Sequence, residues 1–165
     1  FSKLEIAGHQ ATRRQVDSSG KPRPNTCHSA NRRKISMLNK EKTLCRQFAK
    51  VIGGQPGFAG GKCVATLSRN QMNAIILSKR FTVTSSFSFE SFNRKSGKAL
   101  CLGRIALLPK EVEPFVSVIR EQGIKVSSIH NEWLFENPRL LYVNIESVEK
   151  PLIFARKVRK ALNAA

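Results

Sequence analysis

IKVSSIHNEWLFENPRLLYVNIE, residues 124–146, is the stretch whose reading decides the fold. Two apolar, strand-like runs flank an Asn137-Pro138 break, the pattern of a hairpin. Before the break His130 and Glu132 stand two apart; after it Tyr142, Asn144 and Glu146 are spaced the same way. Side chains alternate with period 2 along a strand, so each set is expected on one strand face. Leu141, Val143 and Ile145 fill the intervening positions and supply the opposite, buried face.

Upstream, strand-like runs cover roughly Lys62–Ser68, Met72–Arg80, Val83–Phe92 and Lys98–Leu108, an antiparallel meander with a turn over Asn93–Gly97. In SSFSFESF, Phe87, Phe89 and Ser91 are expected on one face; Ser86, Ser88, Glu90 and Phe92 take the other, so Glu90 falls among polar neighbours. Leu44, Cys45, Phe48, Val51 and Ile52 recur at helical spacing and predict an amphipathic helix from Asn39, as its cap, to Gly53-Gly54. Pro109 opens a second helix, where Glu111 and Glu113 suit the dipole of the first turn better than catalysis. Pro151 opens a third, with Phe154, Ala155, Val158, Ala161 and Leu162 inward. The segment GGQPGFAGGK is expected to be a loop. It fails as a phosphate loop, because Pro56 stands where the first Gly is required and Cys63 follows Lys62.

The element order is therefore α-β-β-β-β-α-β-β-α. Such an order predicts an α+β fold: a largely antiparallel sheet of about six strands with helices packed on one face. Residues 1–37 are expected to be a basic, irregular arm and 38–165 a single domain, a size that suffices for one core.

Charge is the strongest compositional fact: 29 basic and 11 acidic residues give +18. It is spread evenly, since Phe1–Gly60 holds 12 basic and 3 acidic residues and Gly61–Ala165 holds 17 and 8, or +9 each. A balance of this kind favours a polyanion, DNA or RNA first among them, with a merely solvated basic surface as the plainer alternative. Arg13, Arg14, Lys21, Arg23, Arg32, Arg33 and Lys34 in the arm are the expected contacts, with Arg156, Lys157, Arg159 and Lys160 on the last helix. Equally, the arm could be a solvated tail, or order only against a protein partner in a larger assembly. No apolar run approaches the roughly 18 residues of a bilayer span, which excludes a transmembrane helix. The chain starts at Phe1 with no apolar signal core, so a cytoplasmic place is expected slightly ahead of a processed secreted form. Ten Phe against one Trp and one Tyr suit core packing better than base stacking. The four cysteines form no C-x-x-C pair, which disfavours zinc, and Cys45, Cys63 and Cys101 fall in apolar patterns where reduced, buried thiols are expected.

CRQFAKVIGG, GGKCVATLSR, SFSFES, GKALCLGRIALLPKEVEPFVSVIREQGI, SIHNEWLFENPRLLYVNIES and PLIFARKVRKAL together resemble the LppY/LpqO-like family, a bacterial domain of unknown function, from about Cys45 to Leu162. The resemblance implies a His-Asn-His on the first hairpin strand and a His on the second, three imidazoles able to hold an open metal site. On this chain the three positions are His130, Glu132 and Asn144. They could still take a divalent metal, with Glu90 or Glu146 adding oxygen, and so form a metal-assisted hydrolase or small-ligand site. The plainer expectation is no cofactor, with His130 and Asn144 hydrogen-bonding across the hairpin. The function expected is a non-catalytic basic domain that binds a polyanion.

Overall fold

In β6 (Lys98–Leu107), alternation places Ala99, Cys101, Ile105 and Leu107 in the core, while Leu100, Leu102 and Arg104 stand half-buried on the other face. This strand lies inside a six-stranded antiparallel sheet of order β1-β2-β5-β6-β9-β7. Its other members are β1 (Gln55–Ala59), β2 (Lys62–Ser68), β5 (Thr84–Asn93), β9 (Leu141–Glu149) and β7 (Lys125–His130). A smaller antiparallel sheet joins β4 (Lys79–Phe81), β3 (Ala74–Ile76) and β8 (Glu136–Asn137). The helices are α1 (Thr26–Ile52), α2 (Pro109–Glu121) and α3 (Pro151–Ala164). The structure, a computed structural model, describes residues 26–165, without the side chains of residues 26–35 and 37. Residues 37–165 form a compact unit, and every contact given below lies inside it. Arg13, Arg14, Lys21 and Arg23 of the expected arm lie outside the described residues, as do the side chains of Cys27, Arg32, Arg33 and Lys34.

The α+β class and the helix-covered sheet are as the sequence predicts. Phe48 of α1, Phe115 of α2 and Phe154 of α3 are fully buried against Phe87, Phe89, Cys101, Ile105, Val143 and Ile145 of the sheet. The Phe48 ring meets Phe89 edge-on at 5.2 Å and stacks on Phe154 at 6.4 Å. Gly103 lets this layer close, because a Cβ there would stand 2.8 Å from Ile145 Cγ1. A second cluster of Ala74, Val83, Ala106, Leu140 and Tyr142 ties the small sheet to the large one.

Four local expectations are corrected. Asn39 lies within α1, where its carbonyl accepts the Thr43 hydroxyl at 2.9 Å; Gly53 ends the helix with φ 87°, as the sequence suggests. The glycine-rich segment contributes β1, which zips onto β2 from Gln55↔Thr66 to Ala59↔Lys62. The run Met72–Arg80 is two strands, folded back at Leu77 (φ 48°) and Ser78 (φ 63°). Ser91 (φ 54°) sits in a register shift between Glu90 and Asn93, so the extra residue turns Phe92 to the core side, its ring 6.4 Å from Phe89.

The thiol expectation is corrected as well. Cys45 and Cys63 are joined by a disulfide, with 5.5 Å between their Cα atoms. Both sit on buried faces, one of α1 and one of β2, and the packing of helix on strand brings them together. Cys101 is free and buried, its thiol pushed up to about 12 by burial and then by the nearby Glu149 carboxylate. Glu111 behaves as a helix-start residue: its Oε2 accepts the Leu108 N–H at 2.8 Å, and it holds Arg69 through two further bonds of 2.6 and 2.8 Å. The Arg69 hydrogen bond dominates in holding the Glu111 carboxyl below the usual range.

Candidate functional site

The uncovered face of the large sheet carries the polar residues of the hairpin, and strand register arranges them in rows. One row runs Ser86, Arg104, Asn144 and Ser128 across β5, β6, β9 and β7. On one side of it Ala106, Tyr142 and His130 are aligned; on the other, Ser88, Leu102, Glu146 and Lys125. A shift in register between Val126 and Ser128 sets Ser128 opposite Asn144. As expected, Tyr142, Asn144 and Glu146 share a face and His130 joins it. Tyr142, however, is buried, because the small sheet and Leu140 cover that end.

The middle row is hydrogen-bonded. Asn144 Nδ2 donates to Ser128 Oγ at 2.8 Å, Ser128 Oγ lies 3.5 Å from His130 Nδ1, and Ser127 Oγ donates to the Asn144 carbonyl at 3.2 Å. His130 and Asn144 are thus linked through Ser128 rather than directly. The His130 ring stacks on Tyr142 with centroids 6.2 Å apart. Glu132 is not on the strand, since β7 ends at His130; from the following loop its carboxylate forms a salt bridge with the Arg104 guanidinium. Arg104 also lies 4.5 Å above the Tyr142 ring, a cation–π contact. Burial raises the Tyr142 phenol above its ordinary range, assisted by Glu136 and opposed by Arg104 and a hydrogen bond from the Trp133 indole. A cavity of about 250 Å³ opens beside this network, lined by Ser86, Ser88, Arg104, Ser127 and Asn144.

The donor set does not fit a divalent metal. Glu132 is neutralised by a guanidinium that would repel a cation, and the Asn144 amide points its N–H₂ at Ser128. Among the described residues no group of three or more His, Cys, Asp or Glu could hold one. Glu90 lies away on β5, 3.5 Å from Lys62 Nζ, and Glu146 is exposed on β9 opposite Lys125 and Leu102. The residue that organises the face, Arg104, is absent from the sequence expectations. Its signal was available: after the leading Lys98 it is the one charged side chain of β6, on the face opposite Cys101 and Ile105.

Cations gather on the other side of the sheet, over the helical layer. On α1, Lys42, Arg46 and Lys50 recur every four residues and are exposed. On α3, Arg156, Arg159 and Lys160 are exposed, and Lys157 is half-buried in a 2.8 Å pair with Glu149. Arg159 Nη1 donates to the Ile52 carbonyl at 3.3 Å, and this bond with the Phe48–Phe154 stack ties α3 to α1. Of the four α3 cations expected to meet a polyanion, Lys157 is therefore engaged within the fold, while Arg156 and Lys160 point outward.

A family described as Domain of Unknown Function (DUF1259) matches residues 46–164, which span β1 to β9, α2 and nearly all of α3. No curated protein and no solved structure matches the chain.

Proposed function

The chain belongs to the Domain of Unknown Function (DUF1259) family, and we propose that it is a non-catalytic domain that binds a polyanion, nucleic acid foremost, through the basic faces of α1 and α3. The observation that carries this reading is the exposed row Lys42, Arg46 and Lys50 on α1 together with exposed Arg156 and Lys160 on α3. Phosphates neutralised by such a surface release counterions, so binding falls steeply with salt and shows little base preference. Basic residues of the arm, from Arg13 to Lys34, are further candidate contacts for the same polyanion. The likeness to LppY/LpqO-like domains agrees with a non-catalytic role, because two of that family's three imidazole positions hold Glu132 and Asn144 here.

Filter binding of DNA and RNA at low salt tests the proposal. Changing Lys42, Arg46, Arg156 and Lys160 to Gln is expected to weaken retention at least tenfold and to flatten the salt slope. Absence of any retention by the parent chain would overturn the reading. Disulfides such as Cys45–Cys63 persist in oxidising compartments, so an acidic polysaccharide belongs in the same assay.

The cavity beside Asn144 favours a second reading, a pocket for a small polar ligand held by Ser86, Ser88, Arg104 and Asn144. A panel of sugars and small carboxylates that gives no thermal shift, or one unchanged in Asn144→Ala, removes it.

A further inference from the structure

The loop between β7 and β9 leaves an apolar tip in solvent that folding does not account for. Leu134 is 86% exposed and Phe135 71%, and Leu77, also at 71%, opens the turn that follows Ile76, the partner of Glu136. Apolar side chains contiguous at one tip have no role in the core and mark a surface meant to be covered. The loop is not loose. Glu132, beside the half-exposed Trp133, is held by Arg104.

The charges around the tip identify what covers it. Lys79, Arg80 and Arg139 are exposed on the strands and turn that flank it. The two acids nearby are both occupied inward: Glu132 by Arg104, and Glu136 by the Leu140 N–H at 2.8 Å. An apolar point flanked by exposed cations, with a Trp next to it in the chain, is complementary to an anionic lipid surface. The apolar residues enter the acyl boundary, the indole sits at headgroup level and the cations meet lipid phosphates. No helix among the described residues is long and apolar enough to cross a membrane, so the contact is peripheral. We propose that the Trp133-Leu134-Phe135 tip, with Leu77, inserts into the interface of anionic membranes.

Trp133 is the only tryptophan of the chain, which makes its emission a direct report on the tip. Vesicles of phosphatidylcholine and phosphatidylglycerol in equal parts are expected to shift that emission to the blue, and brominated acyl chains to quench it. The exposed double variant Leu134→Ser/Phe135→Ser should lose the shift while melting like the parent. Lys79→Gln/Arg80→Gln/Arg139→Gln should bind about a hundredfold more weakly. Arg156→Gln/Lys160→Gln, which tests the polyanion face, should leave the shift intact, so the two proposals fail separately. The inference is overturned if vesicles leave Trp133 emission unchanged, or if the shift survives in the double serine variant. It is equally overturned if the shift grows with protein concentration in the absence of lipid, which would make a second copy the occupant.

Discussion

The two faces of the large sheet are built on opposite terms. On the covered face, Phe48, Phe87, Phe89, Phe115 and Phe154 close a layer with no exposed side chain among them. On the other, Ser86, Arg104, Asn144 and Ser128 form a row whose stability rests on hydrogen bonds and one salt bridge to a loop. Burial of apolar area is additive and strong, whereas exposed polar contacts exchange with water and contribute little net. The covered face should therefore set stability and tolerate little, and the open face should tolerate change and remain available for ligands.

The sharpest way to break this contrast is to truncate one side chain on each face. Phe154→Ala is expected to cost about 4 kcal/mol of unfolding free energy, and Ser86→Ala to stay within about 0.5 kcal/mol, measured by denaturant titration. Similar losses on both faces would undo the comparison. Next in size is the disulfide that pins α1 to the sheet. It bridges a sequence separation of 18 residues, and replacing both cysteines by Ser should cost about 3 kcal/mol through the freed unfolded chain.

The Arg69–Glu111 pair comes third. Because the folded carboxyl titrates below its unfolded value, its stabilisation is fully present above the ordinary carboxylate range and is lost as pH falls through the folded value. Glu111→Gln should destabilise by about 2 kcal/mol at neutral pH, and the difference should shrink in acid. A pH-independent difference would show that the pair acts through packing alone. Smallest is Arg104→Gln, expected to cost about 1 kcal/mol through the lost Glu132 bridge and cation–π contact, with thermal melts as the measure.

How much was legible depended on the range of the interaction. Pro109 and Pro151 open their helices, Lys62–Ser68 is a strand to the residue, and Val143 and Ile145 face the core, because caps and alternation are local properties. Asn144 and His130 were readable as companions on one face for the same reason. Glu132 was misplaced, since period 2 holds only while a strand continues and β7 stops at His130. Ser91 defeated the alternation in β5 by adding one residue. A lone Arg on the open face of β6 was legible, but its partners, Glu132 and Tyr142, were not, because they come from segments distant in sequence.

The sequence by itself determined the class of fold, the order of helices and strands, the polar and apolar sides of the hairpin and the cationic balance. Each of these follows from residue periodicity, turn chemistry or composition. Tertiary structure alone decided that Cys45 meets Cys63, that Arg104 turns Glu132 inward, that Arg159 of α3 meets the end of α1 at Ile52, and that Leu134 and Phe135 are left uncovered. These are outcomes of which surfaces pack against which, and a pairing between distant segments has no period in the chain from which to read it.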